Sequence, residues 1–376
     1  MKLLRLYLLL GFLLGHWAAA WAAPIVLDAH PRGLLLGETG QLQWLADASG
    51  TLTLDDVRAP AQAARFVPAP HPQPRGGGAQ AHWFKVELTQ RAATGDWVLA
   101  THTTALKDVR FYGPFDAAGQ ALAPPVHTGL SQPFATRPLG SERYLLRLQL
   151  PGPGTYTVYA RLLDETAATL DLSVWDTAEY LQWRQHKRLF DGICYGILLA
   201  LLVYNLVLAA IFRDPAYGFY IGQCAFALLT LASFNGHAAH YLWSGGPWWP
   251  ERGNVVLPSL WLLLGTLFAR SFLETRQVPW LDRLVQAVAV LAVGTALLGL
   301  AGRFGMAQTL NELLASAGAL LATVAAVVTM RRGFVPARWY LGGDEFVILL
   351  ADPLPGERLA ALANDLAEAV RQPVDF

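Results

Sequence analysis

The sequence predicts a multidomain membrane protein: an all-β jelly-roll or sandwich domain, an α-helical transmembrane bundle, and a short α/β remnant at the C-terminal end. Three observations predict it. Hydrophobic residues make up 54% of the 376 and charged residues only 15%, where soluble chains carry roughly 25% charged. Short stretches of alternating apolar and polar residues fill the first half. Five long apolar stretches free of Lys, Arg, Asp and Glu come after them.

Residues 1–23 have the three-part form of a secretory signal. Lys2 and Arg5 give the positive start, Leu3 to Leu14 is almost wholly apolar, and Ala20-Trp21-Ala22 offers small residues around a cleavage site. The apolar stretch is shorter than the ~20 residues a span needs, which favours a signal over an uncleaved anchor. Either reading exports the segment that begins at Pro24.

Residues 24–182 read as the exported β domain. Trp83–Leu88, Trp97–Leu99, Val109–Tyr112, Tyr144–Leu148 and Tyr156–Ala160 alternate with period two between turn residues, as half-buried antiparallel strands do. The Pro/Gly-rich Pro68–Gly78 stretch reads as a loop. For Trp83, Trp97, Tyr112 and Trp175 a resemblance of the β domain to carbohydrate-binding modules implies a sugar-stacking surface, with core packing the favoured alternative. His71, His82, His102 and His127 lack metal-ligand spacing.

Residues 189–341 hold the helices, with spans expected at about 193–211, 217–243, 254–270, 283–302 and 310–330. Cations give the orientation. With the β domain outside, the inner connections carry Arg213, Arg270, Arg276, Arg283, Arg331, Arg332 and Arg338. The outer side has Arg252, Arg303, Lys187 and Arg188. An odd number of spans then puts the C-terminus in the cytoplasm, as expected of a bacterial inner-membrane protein. Asn205, Gln223, Asn235 and His237 fall inside the apolar stretches, where interhelical hydrogen bonds are favoured over a relay. Trp243, Trp248, Trp249 and Trp280 suit interfacial anchoring. Cys194 and Cys224 imply no disulfide framework. Zero formal net charge argues against nucleic acid as a partner.

Trp83–Leu88, Asp108–Tyr112, Pro133–Pro138 and Tyr156–Tyr159 resemble the extracellular domain of seven-transmembrane receptors with diverse intracellular signalling modules (7TMR-DISM). Tyr195–Leu206, Phe268–Leu273, Pro279–Arg283 and Arg331–Arg338 resemble the membrane domain of the same receptors. The resemblance implies a sensor of a periplasmic small ligand, a carbohydrate or a carboxylate, acting beside membrane lipid and as a candidate homodimer. It also implies seven spans, so the five visible here suggest that two are lost at Leu341–Gly342.

Gly342-Gly343-Asp344-Glu345-Phe346 matches the signature of GGDEF diguanylate cyclases, which condense two GTP into cyclic di-GMP. An apolar stretch, Val347–Leu350, and leucines at helical spacing come after it. Phosphoryl chemistry needs carboxylates at a metal and a backbone that admits phosphate closely. By resemblance, Asp344 and Glu345 are the catalytic and Mg2+-binding residues, and Gly342 and Gly343 shape the GTP-binding turn. Residues 342–376 make a partial domain without the upstream metal and guanine sites, so Mg2+ and GTP are expected only if the cyclase is complete. The expectation is an inactive output. The alternatives are an active cyclase whose missing segment is a sequence error, and a non-enzymatic ligand-binding membrane protein.

Overall fold

The computed structural model describes residues 24–27, 33–37, 40–69, 80–164, 171–212, 214–334, 336–337 and 340. The expected signal at 1–23, most of the Pro68–Gly78 loop, His71, Arg213, Arg338 and all of 342–376, with Gly342, Gly343, Asp344 and Glu345, lie outside the described residues.

The N-terminal domain is a two-sheet sandwich. Its strands are β1 (Ile25–Leu27), β2 (Leu34–Leu35), β3 (Gln43–Asp47), β4 (Val67–Pro68), β5 (Ala81–Gln90), β6 (Gly95–Thr101), β7 (Asp108–Phe115), β8 (Val126–Thr128), β9 (Leu145–Leu150), β10 (Gly154–Leu163) and β11 (Leu172–Asp176). One sheet runs β4-β3-β5-β10-β7-β8, with β1 added parallel to the far end of β5; the other runs β2-β11-β6-β9. The antiparallel pair β5 and β10 is in register from Gly154 opposite Gln90 to Leu163 opposite Ala81.

Alternation decides which side chains meet. Phe84, Val86, Leu88, Val158, Ala160 and Leu162 turn inward and meet Leu99, Leu146, Leu148 and Val174 of the other sheet in one core. The intervening residues of the first sheet form a second, smaller core, in which Leu45, Trp83, Phe115 and Tyr159 lie under Val57 of a short helix, α1 (Leu54–Arg58). A reciprocal cap starts that helix: Thr53 Oγ1 accepts from the Asp56 amide, and the Asp56 carboxylate accepts from the Thr53 amide at 2.8 Å. A single turn, α2 (Pro60–Ala63), comes next. All five strands expected from alternation are present. The hydrophobic pattern shows no sign of α1 and α2, which are too short to display helical periodicity.

The helices are α3 (Thr177–Phe212), α4 (Pro215–Phe234), α5 (His237–Tyr241), α6 (Trp248–Phe272), α7 (Pro279–Leu300) and α8 (Phe304–Arg331). All but α5 are long and apolar enough to cross a bilayer. The expected 217–243 span is corrected: its helix ends at Phe234. Gly236 at φ 79° cannot continue a right-handed helix, and α5 is a separate short turn. The other helices start before their apolar runs do, α3 by a full 16 residues relative to Ile193, because charged residues end an apolar run without ending a helix.

Helix α6 packs on α4, α7 and α8 and is the centre of the bundle. Ser233 donates to Asn254 at 2.6 Å, Ser259 donates to Asn311 at 2.8 Å, and the Asn311 amide donates to the Val255 carbonyl at 2.9 Å, so polar side chains join α4, α6 and α8. Helix α3 rests chiefly on α4 and is the least buried of the five long helices. Both cysteines are free and buried.

Candidate functional site

Helix α3 starts directly after the last strand of the sandwich. Asp176 ends β11, and its Oδ1 accepts from the amides of Ala178 and Glu179, capping the helix without an intervening linker. At 36 residues the helix is about 54 Å long. Tyr180, Arg184, Lys187, Arg188, Asp191 and Tyr195 recur at three- and four-residue spacing and share one face.

That face meets the loop before β9. Arg184 Nε donates to Glu142 Oε2 at 2.9 Å, and Arg188 donates to Glu142 Oε1 through Nε at 2.9 Å and Nη2 at 2.5 Å. Arg184 also reaches the carbonyls of Leu139, at 3.0 Å, and Gly140. Tyr180 shares a 2.7 Å hydrogen bond with Ser141, and the Arg143 guanidinium lies 4.0 Å from the centroid of the Trp183 ring. Arg137, stacked between Phe134 and Tyr144, donates to the Glu142 carbonyl at 2.7 Å.

One helical turn further on, Asp191 accepts from Lys187 at 2.8 and 2.9 Å, from His237 Nε2 at 3.0 Å and from Asn235 at 3.4 Å. Asn235 also donates to the Tyr195 hydroxyl at 3.1 Å. His237 Nδ1 lies 3.8 Å from Glu142 Oε1. One imidazole from the α4–α5 turn therefore sits between a carboxylate of the sandwich and a carboxylate of α3. Gly236 lets the turn come this close, since a Cβ there would meet the Glu142 carbonyl oxygen at 3.0 Å. Beside it, Thr104 donates to the Phe234 carbonyl, and Phe134 stacks on His240 with centroids 4.1 Å apart.

Burial alone would raise the Glu142 pKa; the hydrogen bonds from Arg184 and Arg188 overcome it and hold the carboxyl at about 2. Each carboxylate of the cluster is committed to several donors. The arrangement suits a clamp between two bodies, with neither carboxylate left free to take a proton from a substrate. An open cleft of about 350 Å³ adjoins the clamp, lined by Arg188, Asp191, Gly192, Tyr195, His237 and Tyr241 among others. Among the described residues, no three His, Cys, Asp or Glu side chains gather to hold a metal ion.

A second polar centre joins α6 to α7 at the opposite end of the bundle. Arg270 grips Asp282 through Nε at 2.7 Å and Nη2 at 3.0 Å, and Thr275 and Gln286 donate to the same carboxylate. Leu273, Val278 and Leu281 of the same connection are buried in one apolar cluster.

Several sequence expectations meet the structure here. Trp83 and Trp97 are core residues: Trp83 is fully buried and stacks on Tyr112, and Trp97 donates to Gln90 inside the sandwich. Trp175 packs against Tyr180 and Trp183 at the root of α3. His82 accepts from Trp44, His127 bonds Asp108, and the backbone of His102 pairs with Asp171. Asn235 and His237 do make interhelical hydrogen bonds. Asn205 instead donates its amide to the Leu201 carbonyl within α3, the least buried of the long helices. Gln223 packs against Gly265 of α6. Sequence reasoning misses the clamp residues Glu142 and Asp191. The signal present was a Lys187–Asp191 pair at i,i+4 immediately before an apolar run, with Asn235 and His237 in the next.

Residues 39–176 match the family 7TMR-DISM extracellular 2. Residues 187–351 match the family 7TM diverse intracellular signalling, a match that runs through the Gly342–Phe346 stretch. No GGDEF family is matched. No curated protein matches the chain.

Proposed function

We propose that this chain, which carries a 7TMR-DISM extracellular domain followed by the 7TM membrane domain of such receptors, senses a small ligand outside the membrane and signals inward through α3 and the Glu142 clamp. One observation carries the reading: β11 passes into α3 without a linker, while Glu142 holds the first turns of that helix from the side. A shift in the sandwich must then move α3, because two attachments separated along the chain bind the same rigid rod.

The ligand class proposed is a carbohydrate or carboxylate. The test is thermal-shift screening of the full chain in lipid nanodiscs against both classes, followed by hydrogen exchange with any hit. The reading predicts changed protection at the clamp and along α3. Protection confined to the sandwich would overturn transmission through α3, and silence across a broad library would overturn ligand sensing.

For the output we propose the cyclic di-GMP class, on the strength of the Gly342–Phe346 signature alone. In that class Asp344 and Glu345 would hold Mg2+, and Gly342 and Gly343 would admit the GTP phosphates. Incubating the purified chain with GTP and Mg2+ separates the alternatives: cyclic di-GMP formation makes it a working cyclase. Absence of product, with ligand binding intact, leaves a receptor with an inactive output or a non-enzymatic ligand-binding membrane protein.

A further inference from the structure

The cleft beside the clamp combines a cationic head with an apolar body, at the end of the bundle nearest the sandwich. Its head is Arg188. Nε and Nη2 both point at Glu142 Oε1, and Nη1 makes no hydrogen bond to a described residue. The side chain is 40% exposed. Three cations, Arg184, Lys187 and Arg188, share two carboxylates, Glu142 and Asp191, so the head has a surplus of positive charge.

The body is formed by Gly192, Ala232, Ala238, Tyr241 and Leu242. Gly192 is exposed and a Cβ built on it would meet nothing within 4 Å, so the cleft is unobstructed at this position. The mouth is apolar and open: Tyr241 is 68% and Leu242 56% exposed. Trp248 and Trp249 lie at the same end of the bundle, where indoles mark the level of lipid headgroups.

From this juxtaposition we infer that the cleft binds a single-chain carboxylate amphiphile of the fatty-acid type, taken from the outer leaflet, with its carboxylate on Arg188 and its chain over Gly192. About 350 Å³ lies at the lower end of the ~300–1,000 Å³ of small-molecule sites, which suits one chain better than the two of a phospholipid. Arginine pairs with a carboxylate through two parallel N–H donors, so the incoming head competes with Glu142 for the same guanidinium. Occupancy therefore loosens the clamp. The inference rests on the receptor reading for this consequence, but binding is measured directly, and its failure leaves that reading standing.

The experiment is native mass spectrometry of the full chain released from nanodiscs with dodecanoate. One bound dodecanoate is expected, with dodecanol held about tenfold more weakly for want of charge and phosphatidylglycerol not competing. Gly192→Leu, which projects a side chain into that open space, abolishes retention while the melting profile is unchanged. Equal retention of dodecanol, or competition by phosphatidylglycerol, overturns the inference, as does undiminished binding by a folded Gly192→Leu. Should that variant misfold, a diazirine-bearing dodecanoate decides: labelling at 188–195 or 237–242 supports the cleft, and labelling only elsewhere overturns it.

Discussion

Arg184 Nε and Glu142 Oε2 meet at 2.9 Å across 42 positions of sequence, joining the loop before β9 to the second turn of α3. Their side chains are 11% and 10% exposed, so water screens the pair little. Glu142→Gln keeps the shape and removes the charge, leaving two guanidiniums without a counter-ion. Breaking a buried pair from one side costs about 3–5 kcal/mol; with Arg188 partly in water, about 2–3 kcal/mol is expected. A lower melting temperature in nanodiscs, and broader spin-label distances between β9 and α6, would report it. An unchanged distance distribution would sink the clamp.

The pH dependence comes from the direction of the Glu142 shift. Its folded pKa, about 2, lies below the ordinary value of 4.5. The unfolded chain therefore takes up a proton first as the medium acidifies. The stabilisation is complete above pH 4.5 and is lost as pH falls through the folded value, a swing of about 3 kcal/mol. His240 acts in a higher window. Burial lowers its pKa, Arg188, Arg184 and His237 add to that, and Glu142 opposes it. Its contribution is present above about 6.5 and declines as pH drops below that value. Melting followed from pH 8 to pH 3 should show two declines; Glu142→Gln should shrink the acid one and, by removing the charge that opposes the lowering of the His240 pKa, extend the other to lower pH.

At Gly236 the backbone of the bundle lies close against the sandwich. Alanine there costs strain at φ 79° and presses its Cβ on the Glu142 carbonyl oxygen and side chain, at 3.0 and 3.1 Å. About 1–3 kcal/mol of destabilisation is expected. Hydrogen exchange should rise at 139–144 and 234–240 together, because one contact holds both. Gly192→Ala offers the control, since its Cβ would meet nothing.

The sandwich was legible in the sequence because its long strands alternate: Phe84, Val86 and Leu88 face one way and Trp83 the other, as Trp83–Leu88 reads. Strands of two or three residues, such as β2 and β8, are too short to show a period and exist only through their partners. The apolar runs mark five helices but misplace the end of α4, since Ala238 and Ala239 are as apolar as a span while the backbone turn belongs to Gly236. The clamp stayed hidden for a different reason. Charge position is local, but the pairing of Glu142 with Arg184 and Arg188 depends on how β9 and α3 meet. Lys187 and Arg188 read as exceptions to the cation bias; each pairs with a carboxylate of the clamp, Arg188 sharing Glu142 with Arg184.

Asp282 plays for α6 and α7 the part that Glu142 plays for the sandwich and α3. Arg270 donates twice to it, Thr275 donates from the connecting turn at 2.9 Å, and Gln286 donates from one turn further along α7. Four hydrogen bonds from three side chains thus fix one α6–α7 connection. Asp282→Asn weakens two charge-assisted bonds and turns one acceptor into a donor facing donors, for an expected loss of about 2–3 kcal/mol. Arg270→Lys separates charge from geometry: a lysine supplies the cation but cannot present two parallel donors, so about half that loss is expected. Because this centre lies far from the sandwich, neither variant should alter ligand binding there, while exchange at 273–278 should rise in both. If ligand affinity in the sandwich fell with Asp282→Asn, the two centres would be coupled through α6, and the picture of two independent joints would have to be abandoned.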